Sequence, residues 1–135
     1  MKALLISRDE DVRTQLGVAL RAVERRTKAP WEFLEAADGI EGLRLAWKHL
    51  PDVVVADEIT SRAGAFAVAK DLTGAVNPFP GAIVIVLARP EDAWLARWSG
   101  ADAWLNRPLD PFALADIVTD LVAPAPPAAV GGGGA

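Results

Sequence analysis

The sequence predicts a doubly wound α/β domain, in which a five-stranded parallel sheet carries helices on both faces. Two observations lead to this prediction. Five short stretches are apolar on consecutive residues, as in strands that are buried on both faces, and five longer stretches have the apolar spacing of amphipathic helices. The two kinds of stretch alternate strictly, and parallel strands need crossover connections of this kind.

The predicted elements can be read off in order. Charged or turn-forming residues bound each apolar run, which makes the runs candidate strands: KALLIS (2–7), WEFLEA (31–36), DVVVAD (52–57), AIVIVLA (82–88) and DAWLN (102–106). The predicted helices lie between and after them, at 11–25, 39–49, 64–72, 91–99 and 111–122. Pro51 ends the second helix, and His49 is interpreted as a cap at its C-terminus.

The last stretch, APAPPAAVGGGGA (123–135), has no apolar period and concentrates proline and then glycine. We interpret it as a linker or tail, so the predicted domain is 1–122.

Composition excludes several classes of protein. Apolar residues make up 52% of the 135 residues, charged residues 24%, and the formal net charge is −4, which argues against a disordered chain or a general nucleic-acid binder. The absence of cysteine excludes thiol chemistry and disulfides. The N-terminus does not have the pattern of a signal peptide and no run is long enough for a membrane span, so we expect a cytoplasmic protein.

Function is sought where parallel strands end, because ligands of open α/β sheets bind beyond the carboxyl ends of the strands. The residues predicted at this edge are Ser7, Arg8, Asp9, Asp57, Glu58, Leu87, Ala88, Asn106, Arg107 and Pro108.

Three segments, which include most of these strand-end positions, carry a family resemblance: MKALLISRDEDVR, EAADGIEGLRLAWKHLPDVVVAD and GADAWLNRPLDPFAL. In this order and spacing they resemble the receiver domain of bacterial two-component response regulators, over residues 1–122. The resemblance implies strand order 2-1-3-4-5 and a non-enzymatic signalling role in a phosphorelay.

The resemblance also assigns roles to positions. Asp57 is at the place of the aspartate that receives the phosphoryl group. Ser7 and Arg8 are at the places of the acidic pair that binds Mg²⁺ in the family. Leu87 replaces a hydroxyl residue that contacts the phosphoryl group, Arg107 replaces a lysine, and Trp104 is at the place of a switch aromatic.

These replacements predict an atypical receiver that needs no cofactor. Arg8 has only donors and a fixed positive charge, so it cannot ligate Mg²⁺, although Asp9 could still reach the site. Leu87 cannot hydrogen-bond a phosphoryl oxygen, and a planar guanidinium does not reproduce the shape of an ammonium. We hypothesise that Arg8 occupies the metal position and pairs with Asp57; the alternative is that Arg8 points into solvent.

A pair of tryptophans suggests how such a domain would act. Trp94 and Trp98 are four residues apart on the fourth predicted helix and therefore share a face. Exposed, this face would suit a signalling protein or histidine kinase, or a second copy bound through helix 4, strand 5 and helix 5. Otherwise, the pair would pack against the tail of its own chain.

Two other functions stay open from the sequence. One is a conventional receiver that uses Mg²⁺ and is phosphorylated on Asp57. The other is a small-ligand or nucleotide-binding domain that uses the same edge of the sheet.

Overall fold

Strands and helices alternate along the whole described chain. The computed structural model describes residues 1–58 and 64–123. In chain order the elements are β1 (Lys2–Ile6), α1 (Glu10–Thr27), β2 (Glu32–Ala36), α2 (Gly39–His49), β3 (Val53–Asp57), α3 (Ala65–Thr73), β4 (Ala82–Leu87), a 3₁₀ turn (Pro90–Asp92), α4 (Ala93–Trp98), β5 (Ala103–Asn106) and α5 (Pro111–Val122). The strands form one sheet in the order β2-β1-β3-β4-β5, and all four pairings are parallel. The predicted fold class and strand order are confirmed.

The largest difference from the predicted elements is in the fourth helix. The sequence pattern predicts one helix over 91–99, whereas the structure has a 3₁₀ turn from Pro90 to Asp92 and then a short α4 of six residues. Pro90 occupies the first position of the turn, where its missing N–H and fixed φ are tolerated. The predicted tail, 123–135, lies outside the described residues except for Ala123.

The core has two layers, one on each side of the sheet. Alternate residues of a strand face opposite sides, so Leu4 and Ile6 pack with the layer under α2, α3 and α4, whereas Ala3 and Leu5 pack with the layer under α1 and α5. Every residue of β3 is buried. Burial on both faces explains why the central strands are apolar on consecutive residues.

Three of the helices begin at an aspartate that caps them. The side chains of Asp9, Asp38 and Asp110 accept hydrogen bonds from backbone N–H groups in the first turns of α1, α2 and α5. Glu10 and Asp11 add negative charge at the positive end of α1. The acidic cluster 9–11 is therefore a helix start.

Carboxylates also organise the opposite edge of the sheet, where the strands begin. Asp52 Oδ2 accepts from the backbone N–H of Lys2 at 2.8 Å, and Asp102 Oδ2 accepts from the backbone N–H of Ile83 at 2.7 Å. Each aspartate directly precedes one strand, and its carboxylate accepts a backbone hydrogen bond near the start of the adjacent strand. No helix in the described part of the chain is long and apolar enough to cross a membrane.

Candidate functional site

The centre of the candidate site is Asp57, the last residue of β3. Its side chain is 1% exposed, and both of its carboxylate oxygens lie 2.5 Å from Nη2 of Arg107. The hydroxyl of Ser7 donates a further hydrogen bond to Oδ2 of Asp57 at 2.9 Å. The ends of β1, β3 and β5 thus converge on one carboxylate, as the parallel sheet predicts.

Ser7 is fully buried at the end of β1 and is fixed on several sides. Its hydroxyl oxygen accepts from the backbone N–H of Asp9 at 3.1 Å, while its carbonyl accepts from a guanidinium nitrogen of Arg13 at 2.6 Å. Arg13 also pairs with Glu35 at 2.9 Å. The hydroxyl proton of Ser7 is therefore directed at Asp57.

Sequence reasoning did not identify Arg13 or Glu35. They sit on different elements, α1 and β2, so no local pattern joins them. The available signal is that Arg13 lies one helical turn after Asp9 and can reach back to the end of β1.

Arg107 follows β5, and a backbone hydrogen bond to β4 fixes its position. Its N–H donates to the carbonyl of Leu87 at 3.0 Å, which continues the pairing of β4 with β5. Within the described residues, its buried Nε atom has no hydrogen-bond partner. Leu87 is fully buried in the core and presents no polar group to the site.

The hypothesis that Arg8 pairs with Asp57 is wrong. Arg8 is exposed, and among residues 1–58 and 64–123 no ion pair joins it to Asp57, whereas Arg107 makes that ion pair. The physical reason is that the buried Ser7 hydroxyl and the Arg107 guanidinium already contact the carboxylate, while Arg8 stays exposed to solvent. Asp9 is likewise exposed, and its carboxylate caps α1.

A second carboxyl cluster begins at the next residue, Glu58. Its Oε2 accepts a hydrogen bond from the backbone N–H of Ala88, and its carboxyl group interacts electrostatically with that of Asp92. Asp92 in turn is bound by the guanidinium of Arg89 at 3.2 and 3.3 Å. Burial raises the pKa of Glu58 against the lowering effect of the Ala88 N–H, and the Asp92 carboxyl raises it further, while the Arg89 guanidinium lowers the pKa of Asp92.

The tryptophans of α4 form an exposed face. Trp94 is 61% exposed and Trp98 is 55% exposed, and the ammonium of Lys70 lies 4.7 Å from the ring centre of Trp98. Trp104, on β5, is half-buried, with the guanidinium of Arg97 at 5.8 Å from its ring centre. The alternative of packing against the tail concerns residues outside the described ranges.

Relatives of this chain are response regulators. Two response regulatory proteins from strains of Mycobacterium tuberculosis, both uncharacterized, are each 33% identical to it over 90 residues, which is 67% of this chain and 67% of each relative. The chain belongs to the response regulator family. No protein-family model matches it.

Solved structures show the same receiver fold. A Chloroflexus aurantiacus protein described as a response regulator superposes with a TM-score of 0.79 at 22% identity, over 90% of this chain and 96% of that one. The receiver domain of a Pseudomonas aeruginosa sensor histidine kinase, with a magnesium ion in its active-site cleft, gives 0.75 at 18% identity, over 90% and 96%. A chemotaxis protein of Vibrio cholerae gives 0.73 at 24% identity, over 89% and 97%.

The family assignment gives the domain its general role. It is a response regulator receiver domain of two-component signalling.

The Glu58 cluster predicts how the stability of the receiver domain depends on pH. An acid whose pKa is raised by folding binds more protons in the folded state, so its contribution to stability falls as pH rises from the unfolded pKa through the folded one. We expect Glu58→Gln to remove this fall, so that the variant gains stability relative to the unaltered domain between about pH 4.3 and neutrality.

Urea unfolding at a series of pH values measures this difference. Glu91→Gln is the matched control, because Glu91 is an exposed acid in the 3₁₀ turn that contains Asp92. A constant difference between Glu58→Gln and the unaltered domain at every pH would contradict the prediction.

Proposed function

We propose that this receiver domain works without Mg²⁺, as a protein-interaction module of a cytoplasmic two-component pathway, with Asp57 kept in an internal ion pair. The observation that carries the proposal is the contact of Arg107 with both carboxylate oxygens of Asp57. A charge-assisted pair of this kind gives the site one preferred arrangement.

Phosphorylation of Asp57 would require a free carboxylate oxygen to attack the phosphodonor. Oδ1 is bound by Arg107, and Oδ2 is bound by both Arg107 and Ser7. Each bond lowers the electron density available for attack and obstructs approach to a side chain that is 1% exposed. The pair also neutralises the charge that would attract a cation.

The side chains at this edge do not fit Mg²⁺. The ion prefers several oxygen ligands, mostly carboxylates and waters, in octahedral geometry. Here the Ser7 hydroxyl donates its proton to Asp57, Arg8 contributes a positive charge near the strand end, and a guanidinium already occupies the face of the carboxylate. This donor set supports a role without the metal.

Intact-mass measurement after incubation with Mg²⁺ and acetyl phosphate tests the proposal. We expect no phosphoryl gain in the unaltered domain. As a positive control, Ser7→Asp, Arg8→Asp, Leu87→Thr and Arg107→Lys together restore the chemistry that the family places at these positions. This restored variant should gain one phosphoryl group, and Asp57→Ala in the same background should not.

The opposite result would establish the second candidate, a conventional receiver phosphorylated on Asp57. What favours this candidate is that the aspartate is retained at the end of β3 and that a structural neighbour holds magnesium in its cleft. A phosphoryl gain in the unaltered domain that disappears in Asp57→Ala would overturn the metal-free proposal.

The interaction part of the proposal concerns the α4 tryptophans. Two exposed indoles four residues apart present a large apolar area of the kind found at binding hot spots. We expect self-association through α4, β5 and α5, which sedimentation at increasing protein concentration would detect. Trp98→Ala should weaken this association at least about tenfold.

The matched control is Val76→Ala, because Val76 is 98% exposed and lies on the loop after α3 rather than on α4. A domain that stays monomeric at all concentrations would exclude a second copy as the occupant and leave another signalling protein as the partner. Equal weakening by both substitutions would show that the tryptophan face is not the contact.

A further inference from the structure

The outer side of α2 exposes three large apolar side chains. Ile40 is 50% exposed, Trp47 is 41% exposed, and Leu50, which directly follows the helix, is 52% exposed. Ile40 and Trp47 are seven residues apart and therefore lie on one side of the helix, two turns from each other. These three side chains are called the α2 apolar strip below.

The α2 apolar strip is continuous with the segment that leads into β4. The Trp47 ring packs edge-on against Phe79, with ring centres 5.9 Å apart, and Leu50 lines one cavity with Pro80 and Gly81. α3 packs against both α2 and α4. The strip is therefore a different surface from the tryptophan face of α4.

Leu50 is held in an unfavourable backbone conformation. It takes the left-handed region at the end of α2, with φ 47° and ψ 59°. Glycine or asparagine usually occupies such a position, because a Cβ atom makes the left-handed region costly. A leucine is unfavourable here twice, since half of its apolar side chain also faces water. Strained residues cluster at sites of binding, so the strain points to a bound partner at the strip.

The charged edge of the α2 apolar strip is basic. Arg44 lies between Ile40 and Trp47 along the helix, and Lys48 follows one turn later; both are exposed. Glu41, the acid of α2, has its two carboxylate oxygens bound by Arg44 at 2.7 and 2.8 Å. In the part of the chain that the structure describes, Lys48 makes no ion pair. A positive charge is thus left beside the strip, although the net charge of the chain is −4.

We propose that the α2 apolar strip binds an acidic amphipathic helix of another protein. The apolar side of that helix would cover Ile40, Trp47 and Leu50, and its carboxylates would pair with Lys48 and fix its orientation. A second copy of this chain fits less well, because a two-fold axis through the middle of α2 would place Arg44 against its own copy. The inference goes beyond the proposed function, since it needs neither the Asp57 site nor the α4 tryptophans.

Fluorescence anisotropy with two synthetic peptides tests the inference on the whole chain. The first is a fluorescein-labelled helical peptide with leucine at i, i+3 and i+7 and glutamate beside this apolar side. The second has lysine in place of every glutamate. We expect the glutamate peptide to bind at least about tenfold more tightly, because only its charges complement the basic edge.

Variants locate the binding surface. Lys48→Glu and Trp47→Ala should each weaken the glutamate peptide about tenfold. Because Trp47 also supports Phe79, Ile40→Ala is a second test of the apolar contact, with an expected loss of about fivefold. Val18→Ala is the matched control and should leave binding unchanged, since Val18 is an exposed apolar residue of α1.

Leu50→Gly separates binding from folding. Glycine relieves the left-handed strain, so the urea midpoint should stay equal or rise, while binding of the glutamate peptide should weaken about threefold or more. A fall in the midpoint would show that Leu50 is kept for internal packing, and the argument from strain would be wrong.

Three further results would overturn the inference. Absent binding, or equal binding of the two peptides, would show that the basic edge selects no acidic partner. Unchanged binding in both Trp47→Ala and Ile40→Ala would place the peptide on another surface. Sedimentation that detects dimers lost in Ile40→Ala would identify a second copy of this chain as the occupant.

Discussion

Arg107→Ala should lower the free energy of unfolding by about 3 kcal/mol, because it removes the guanidinium that contacts both oxygens of a carboxylate that is 1% exposed. Denaturant unfolding at neutral pH measures the loss. The effect is large for a single ion pair because only the Arg107 side is partly open to solvent; its side chain is 33% exposed, whereas Asp57 is enclosed. An exposed pair such as that of Arg26 with Asp116 would contribute far less.

A double-mutant cycle separates the ion pair from other effects of truncation. Asp57→Asn combined with Arg107→Ala should recover most of the lost stability, because no buried charge then remains to be compensated. Arg107→Lys should fall between the unaltered domain and Arg107→Ala, since an ammonium keeps the charge but not the planar geometry. A loss under about 0.5 kcal/mol in Arg107→Ala would show that the pair does not hold the site together.

Gly81→Ala is expected to lower the free energy of unfolding by about 2 kcal/mol through overpacking. A Cβ atom at this position would overlap the backbone carbonyl oxygen of Pro51 and lie 2.7 Å from Cε2 of the Phe79 ring. Phe79 is 7% exposed and packs edge-on against Trp47, with ring centres 5.9 Å apart. Neither the carbonyl nor the ring can move without disturbing the entry to β4.

Gly17→Ala provides the matched comparison. Gly17 lies inside α1, and a Cβ there would meet only Cδ1 of Leu5 at 3.8 Å, an ordinary contact. Alanine in the interior of a helix is favoured over glycine, so we expect a gain of about 0.5–1 kcal/mol from thermal or denaturant unfolding. Equal losses in both variants would contradict the packing explanation for Gly81.

The fold could be predicted from the sequence because its determinants are local and repeated. The apolar runs, the helical spacing and the aspartates at helix starts each specify one element, and alternation leaves a parallel sheet as the consistent solution. The fourth helix was the exception. Its pattern extends over 91–99, but the segment begins with a 3₁₀ turn whose first residue is Pro90 and whose last, Asp92, interacts with Glu58 just after β3.

The site was only partly predictable, because it depends on side-chain direction rather than on order in the chain. Ser7, Asp57 and Arg107 were correctly placed at one edge by the ends of three strands. Choosing between Arg8 and Arg107 as the partner of Asp57 required knowing which face each side chain takes. The Glu58 cluster joins residues about 30 positions apart, and nothing in the local sequence marks them as neighbours.

The tryptophans are also intrinsic fluorescent probes of separate regions of the protein. Trp31 is 7% exposed, Trp47 is 41% exposed beside a phenyl ring, and Trp94 is 61% exposed. Indole emission shifts to longer wavelength in water and is quenched by dissolved collisional quenchers. Chains that keep one tryptophan at a time would therefore report separately on the β2 edge, the α2 surface and the α4 face, without any attached label.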